Sequence, residues 1–289
     1  MRDQGSGVRK KSVHSHARAW ERVTPDPRTL PPLRIMPQIT AEQIETFIFA
    51  FLRVSAIVAT MPVLGNREVP VRVKGGVSLM IAFLIFPFVE LHALPIELLP
   101  LSLKMAGEVM IGITIGLAGR LIFAGVQLAG QLAGFQMGFA IVNVFDPITS
   151  AQVSIIAQLQ YLIAMLIFLA VNGHHLFLYA IAESYRILPP LGFHFSGELT
   201  QSIVELSKDI FIIAIKTGAP VITALLMTSI GFGLIARTVP QINILIVGFP
   251  VKIAVGLIGI GLALPVFARV MGSIFLNFGG KLSLLLRLM

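Results

Sequence analysis

Apolar runs of helical length, separated by short polar or proline-containing breaks, make up the chain from residue 36 onward. The sharpest alternation lies between Pro220 and Gly256, PVITALLMTSIGFGLIARTVPQINILIVGFPVKIAVG. Two apolar runs flank a polar turn that holds Arg237, Pro240, Gln241 and Asn243. Gly248, Phe249, Pro250 and Lys252 then read as a proline-broken re-entry. Polar groups set into so apolar a stretch must be buried against protein or face water. Either case points to a channel or a multi-subunit assembly.

The same pattern predicts the other elements. Thr40 followed by Gln43 has the form of a capping box that opens a helix over about 42–64. A loop over 65–74 with net charge +2 is expected on the cytoplasmic side, and a short second helix over 75–88 contains Pro87. After Pro95 and Pro100, the run 101–145 would extend roughly 65 Å as one helix, about twice a hydrocarbon core. It must therefore bend, split or project beyond the membrane. Residues 142–152 (VNVFDPITSAQ) break the pattern with turn chemistry, as a connecting loop or a re-entrant loop lining a path. A membrane-length helix over 153–171 ends at Asn172-Gly173-His174-His175. Residues 197–217 are amphipathic, with Leu199, Ile203, Leu206, Ile210 and Ile213 set against Glu205, Lys208 and Asp209. They read as interfacial or as the solvated start of the next helix. An amphipathic run over 268–289 closes the chain.

Within the long run, Gly112 and Gly116 have GxxxG spacing, and Gly130, Gly134 and Gly138 repeat it twice. Such a stripe lets helix backbones approach closely inside an assembly. The interleaved Gln127, Gln131 and Gln136 are expected to hydrogen-bond across helices. Arg53 sits mid-span in the first helix, where a charge is costly unless it pairs or faces a cavity. A carboxylate partner and a transport role both account for it.

Composition places all of this in a membrane. Hydrophobic residues are 56% of the chain and charged ones 12%, and the mean hydropathy is +0.88. No Asp, Glu, Lys or Arg occurs between Pro147 and Ala182. The chain is read as an all-α, polytopic, membrane-embedded protein. Its basic balance is concentrated at the start. Residues 1–35 hold eight Lys and Arg against three acids, which leaves +3 of the formal +8 for residues 36–289. That excess is read as a topology signal and not as a nucleic-acid surface. The basic extension 1–35 lacks the apolar core of a secretory signal. It is either a disordered cytoplasmic arm or upstream sequence ahead of a true start at Met36, and the second reading is preferred. With no cysteine, thiolate metal sites and cysteine nucleophiles are excluded.

Catalytic constellations are not found. His174 and His175 are adjacent, so on a helix they point about 100° apart and do not easily share a metal. Ser154 and Ser184 lack a GxSxG elbow, no Walker A lysine or GxGxxG pattern appears, and Glu108 and Arg120 are candidates only for pairing with other buried charges. Neither enzyme activity nor a cofactor is expected.

Several segments, in order, carry a family resemblance. They are Leu52-Arg53-Val54 with Met61-Pro62-Val63-Leu64; residues 69–74 (VPVRVK); Gly134-Phe135-Gln136-Met137-Gly138 through Phe145-Asp146-Pro147; Asn172-Gly173-His174-His175; and Pro240-Gln241-Ile242-Asn243 with Gly248-Phe249-Pro250. Over residues 36 to about 270 the chain resembles the FliR/SctT/SpaR family of type III secretion export-gate subunits. The resemblance implies kinked helical hairpins, a FliP-like half over about 36–190 and a FliQ-like half over about 191–289, much of it lifted out of the bilayer plane. It implies one subunit among FliP-like and FliQ-like chains, beside FlhB-like and FlhA-like export components, in the inner membrane at the flagellar basal body. There it would pass unfolded export substrates. It also implies a pore or plug loop containing Phe139, Asn143, Phe145, Asp146, Pro147 and Gln152. Subunit contacts are expected at Arg53, Gly130, Gly134, Gly138, Arg237, Pro240, Gln241, Asn243, Phe249, Pro250 and Lys252. Asn172-Gly173-His174 and Pro240-Gln241 lean towards the flagellar branch over the virulence-type injectisome. A secondary transporter with a site at a broken Phe249-Pro250 helix is the competing reading, although no internal repeat accompanies it.

Overall fold

A 40-residue helix forms the axis of the fold. The computed structural model describes residues 40–89, 98–139, 154–190, 192–239, 241 and 243–289. Its helices are α1 (Ala41–Thr60), α2 (Val71–Ile85), α3 (Leu98–Met137), α4 (Ile155–Ala170), α5 (Gly173–Ile187), α6 (Gly197–Thr238) and α7 (Ile244–Leu288), with a 3-10 turn at Phe86–Phe88. No strand occurs among the described residues. All seven helices belong to the unit Ala41–Met289. The basic extension and most of the proposed loop, residues 140–153, lie outside the described residues.

The all-helical expectation holds, and the last two helices run longer than the sequence pattern suggested. Pro100 falls in the first turn of α3, where a missing N–H costs nothing because no partner exists for it there. α2 starts at Val71, directly after Pro70, so Arg72 and Lys74 belong to its first turn and not to the preceding loop. Residues 197–217 are the first half of the 42-residue α6. The re-entry expected at Gly248–Lys252 is a continuous helix, because α7 runs through both Pro250 and Pro265. Each proline removes one backbone hydrogen bond, and the helix continues through both. The broken helix that motivated a transporter site is therefore absent.

α3 packs most extensively on α6, then on α1 and α4, and also meets α7. α1 with α2 forms one hairpin, and α6 with α7 forms the other. The ends of the second hairpin are tied by Ser196, the N-cap of α6. Its Oγ accepts from Leu199 N at 3.0 Å and donates to Leu288 O at 2.7 Å, while His194 N donates to Met289 O at 2.7 Å. One hydroxyl thus caps one helix and fills a C-terminal carbonyl of the other.

α4 and α5 are two arms bent by 64°. The bend is set by Asn172, in the left-handed region with φ 56°, which asparagine tolerates better than most residues. Gly173 follows, where a Cβ would overlap the Phe168 ring. The core lies at this junction. Phe168 meets Phe123 of α3 edge-on at 5.6 Å and Phe275 of α7 at 5.0 Å, and Phe177 packs behind it. Edge-to-face aromatic packing of this kind locks helix orientation beyond what area burial supplies.

α1, α3, α6, α7 and α2 with its 3-10 turn are each long and apolar enough to cross a membrane, and the bent α4–α5 pair counts as a further span. At 1.5 Å per residue α6 and α7 reach roughly 63 and 68 Å, about twice a hydrocarbon core. They tilt strongly or project beyond it. Burial separates the helices by role. In the most apolar 18-residue window, 61% of α3 is buried but only 17% of α7.

Candidate functional site

Three features stand out where polar or small residues interrupt the apolar helices. The first is a buried ion pair. Arg53 of α1 holds Glu108 of α3 through two parallel hydrogen bonds, Nε to Oε2 at 2.6 Å and Nη2 to Oε1 at 3.0 Å. Both side chains are fully buried. Nη1 donates to Ser184 Oγ at 3.2 Å and to the Leu188 carbonyl at 3.0 Å. The guanidinium carbon lies 4.2 Å from the centre of the Tyr185 ring, whose hydroxyl donates to the Ala50 carbonyl at 3.2 Å. A planar cation is matched on its edge by a carboxylate and on its face by an aromatic ring. Three helices are joined at one point. Such a group, sealed from solvent with its charge matched, ties the three helices together.

Arg53 is among the expected subunit contacts. Its charge is spent inside its own chain, on a carboxylate that the sequence identified only as able to pair. Ser184, Tyr185 and the Leu188 carbonyl were missed altogether. One signal was available, since Glu108 is the sole acid in the apolar window Leu101–Met137.

The second feature is the glycine stripe of α3. Gly112 lies against the Arg53 carbonyl and Ala56, Gly116 against Thr60, Gly130 against Ala157 and Gly134 against Ser154. Gly138, at φ +96°, lies against the Phe249 ring of α7. Close approach is what GxxxG spacing predicts, but the approaching helices are α1, α4 and α7 of the same chain. Gly130, Gly134, Gly138 and Phe249, expected as subunit contacts, thus make close contacts within the chain.

The third feature is the end of α3. Phe139 is half-buried against a small cluster that includes Met137, Ile156 and Leu225. Gln136 Oε1, Ser154 Oγ and Gln160 Oε1 are buried without a hydrogen-bond partner among the described residues. Asn143, Phe145, Asp146, Pro147 and Gln152 lie outside the described residues. At the α6–α7 turn, Arg237 and Gln241 are exposed, and Asn243 Oδ1 accepts from Ile246 N at 3.4 Å at the start of α7. Pro250 is exposed and Lys252 half-buried; Pro240 is outside the described residues. No three residues among His, Asp and Glu gather as metal ligands among the described residues.

Comparison with known proteins gives the setting for this geometry. The family model described as "Bacterial export proteins, family 1" matches residues 44–278. The chain is 35% identical over 236 residues to the flagellar biosynthetic protein FliR of Bacillus subtilis, covering 79% of this chain and 90% of that protein. It is 32% identical to the FliR of Pectobacterium carotovorum, over 77% of this chain and 85% of the relative. Identity to the FliR of Escherichia coli is 30%, over 81% and 91% respectively.

Proposed function

The chain belongs to the bacterial export proteins, family 1, and from that premise we propose that it is a structural subunit of the flagellar protein export gate. The observation that carries the proposal is the similarity to flagellar FliR proteins along nearly their whole length. In this reading the chain has no catalytic role. It sits in the bacterial inner membrane at the flagellar basal body, with FliP-like and FliQ-like chains as neighbours and FlhB-like and FlhA-like components beside them. It forms part of the path for unfolded substrates.

One feature of the fold supports assembly with other chains. α6 and α7 leave long apolar faces uncovered, including Leu226, Met227, Ile230, Leu234, Leu257 and Ile258. Contiguous apolar surface of this kind is covered by lipid or by protein. In this reading the chain divides into a FliP-like half, about 36–190, and a FliQ-like half, about 191–289, the second made of the α6–α7 hairpin. Extraction of a C-terminally tagged chain in mild detergent tests the proposal. Recovery in one large complex with FliP-like and FliQ-like chains is expected. A monomer or homodimer without partners would overturn it.

The segment 139–152 is proposed to plug the path. Deleting residues 144–150 is then expected to raise ion conductance across the membranes of cells carrying the gate. Unchanged conductance in cells that still assemble the complex would remove the plug from the proposal.

A further inference from the structure

Beside the end of α1 lies a cavity of about 120 Å³ lined by Thr60, Asn66, Arg120, Phe123, Gln127 and Tyr161, among others. Its polar wall is organised by the fold. Asn66 Nδ2 donates to the Tyr161 hydroxyl at 2.8 Å, and the Tyr161 ring meets the buried Phe123 edge-on at 5.6 Å. Arg120 enters the same space, and among the described residues no carboxylate pairs with it. Arg120 is exposed, within reach of solvent and of a solute in the cavity, and an arginine halfway along a 40-residue apolar helix needs a counter-charge or water. Glu108, the one acid in that window, is taken by Arg53.

The level of this cavity follows from helix packing. α1 has 20 residues, roughly 30 Å, about one hydrocarbon thickness. Gly116 lies against Thr60, the last residue of α1, so Arg120, one turn further on, has passed the end of the α1–α2 hairpin. Arg67, Arg72 and Lys74 belong to the same end, with Glu68 as the acid among them. Carbonyls that would repel an anion there are already engaged. Met61 N takes Ile57 O, Gly65 N takes Met61 O and Lys74 Nζ takes Gly65 O, at 2.8, 2.8 and 3.1 Å.

We infer that this cavity binds a phosphate-type oxyanion, supplied by an anionic phospholipid headgroup or by free phosphate, with the Arg120 guanidinium as its principal ligand. The guanidinium fork matches two phosphate oxygens, and Gln127, Asn66 and Tyr161 add neutral hydrogen-bonding groups on the wall. Basic sites between membrane helices at headgroup level are suited to this chemistry.

The test uses the full chain in its native complex, purified in a neutral maltoside, with acyl-labelled phosphatidylglycerol as the probe and fluorescence anisotropy as the readout. Arg120→Gln is expected to weaken binding by roughly 10–100-fold, the worth of a charge-assisted hydrogen bond. Arg287→Gln, at the exposed far end of α7, should change it by about twofold at most. Displacement of the probe by inorganic phosphate, but not by chloride of equal ionic strength, would make the oxyanion alone sufficient. Failure of phosphate to displace a bound probe would assign the site to the lipid headgroup. Equal binding by wild type and Arg120→Gln, or no binding of either probe, overturns the inference. Should Arg120→Gln fail to fold, Arg120→Lys and Tyr161→Phe serve instead, and wild-type binding by both overturns it as well.

Discussion

Truncation of Arg53 to alanine is expected to destabilise the chain by about 3–5 kcal/mol, because the Glu108 carboxylate would be left buried and uncompensated. Glu108→Ala should cost a similar amount, leaving the guanidinium with only Ser184, the Leu188 carbonyl and the Tyr185 ring. Arg53→Lys should also be costly, since an ammonium cannot make the two-pronged contact. The double variant Arg53→Leu/Glu108→Leu removes both charges and replaces them with apolar volume, so it should lie far closer to wild type than the sum of the single changes. Thermal unfolding of detergent-solubilised protein, as a complete double-mutant cycle, measures this. Single variants that lose less than about 1 kcal/mol would show that the pair does not lock α1, α3 and α5 together.

The second large effect concerns the glycines. Gly130→Leu places its Cβ on the Cα of Ala157, a backbone atom that cannot rotate away. α3 and α4 must then separate. Overpacking costs typically about 1–3 kcal/mol, and more when backbone must move. A Cβ at Gly116 would meet the Thr60 Cβ and carbonyl carbon as well as its hydroxyl, so Gly116→Ala should also destabilise, by less than the bulkier Gly130→Leu. Gly272 of α7 has no neighbour within 4 Å, and Gly272→Ala should be neutral or stabilising by about 0.5–1 kcal/mol through helix propensity. Parallel unfolding curves for the three variants decide the matter. If Gly130→Leu behaves like Gly272→Ala, the close α3–α4 contact is not what holds the hairpins.

Both predictions concern features whose presence could be read along the chain and whose partners could not. GxxxG spacing placed Gly130, Gly134 and Gly138 on one face of α3, but spacing says nothing about who covers that face. Neighbouring subunits were expected there, and Ala157, Ser154 and Phe249 of the same chain lie against these glycines. Arg53 and Glu108 are 55 positions apart. Their meeting depends on the register of α1 against α3, which Gly112 and Gly116 set by letting the helices touch. Arg120 was noted only as a charge seeking a partner, and its cavity exists because α1 stops at Thr60 one turn short of it.

Helix ends divide in the same way. Gly173 and Asn172 marked the α4–α5 break correctly, because a left-handed residue is a local requirement that few side chains meet. Pro100 and Pro250 marked breaks that do not occur. A proline's penalty is local and depends on whether its N–H had a partner, while continuation of the helix is decided by the packing of many residues on either side.

By itself, then, the order of residues determined the all-α class, the membrane setting, the helix-forming runs and the family resemblance. Each of these follows from local periodicity, apolar length or short motifs that need no knowledge of neighbours. Tertiary structure alone decided which charge meets which, which helix covers the glycine face, and where Arg120 is left with space around it. Those outcomes depend on helix register and crossing geometry across dozens of positions, and packing of the whole unit sets both.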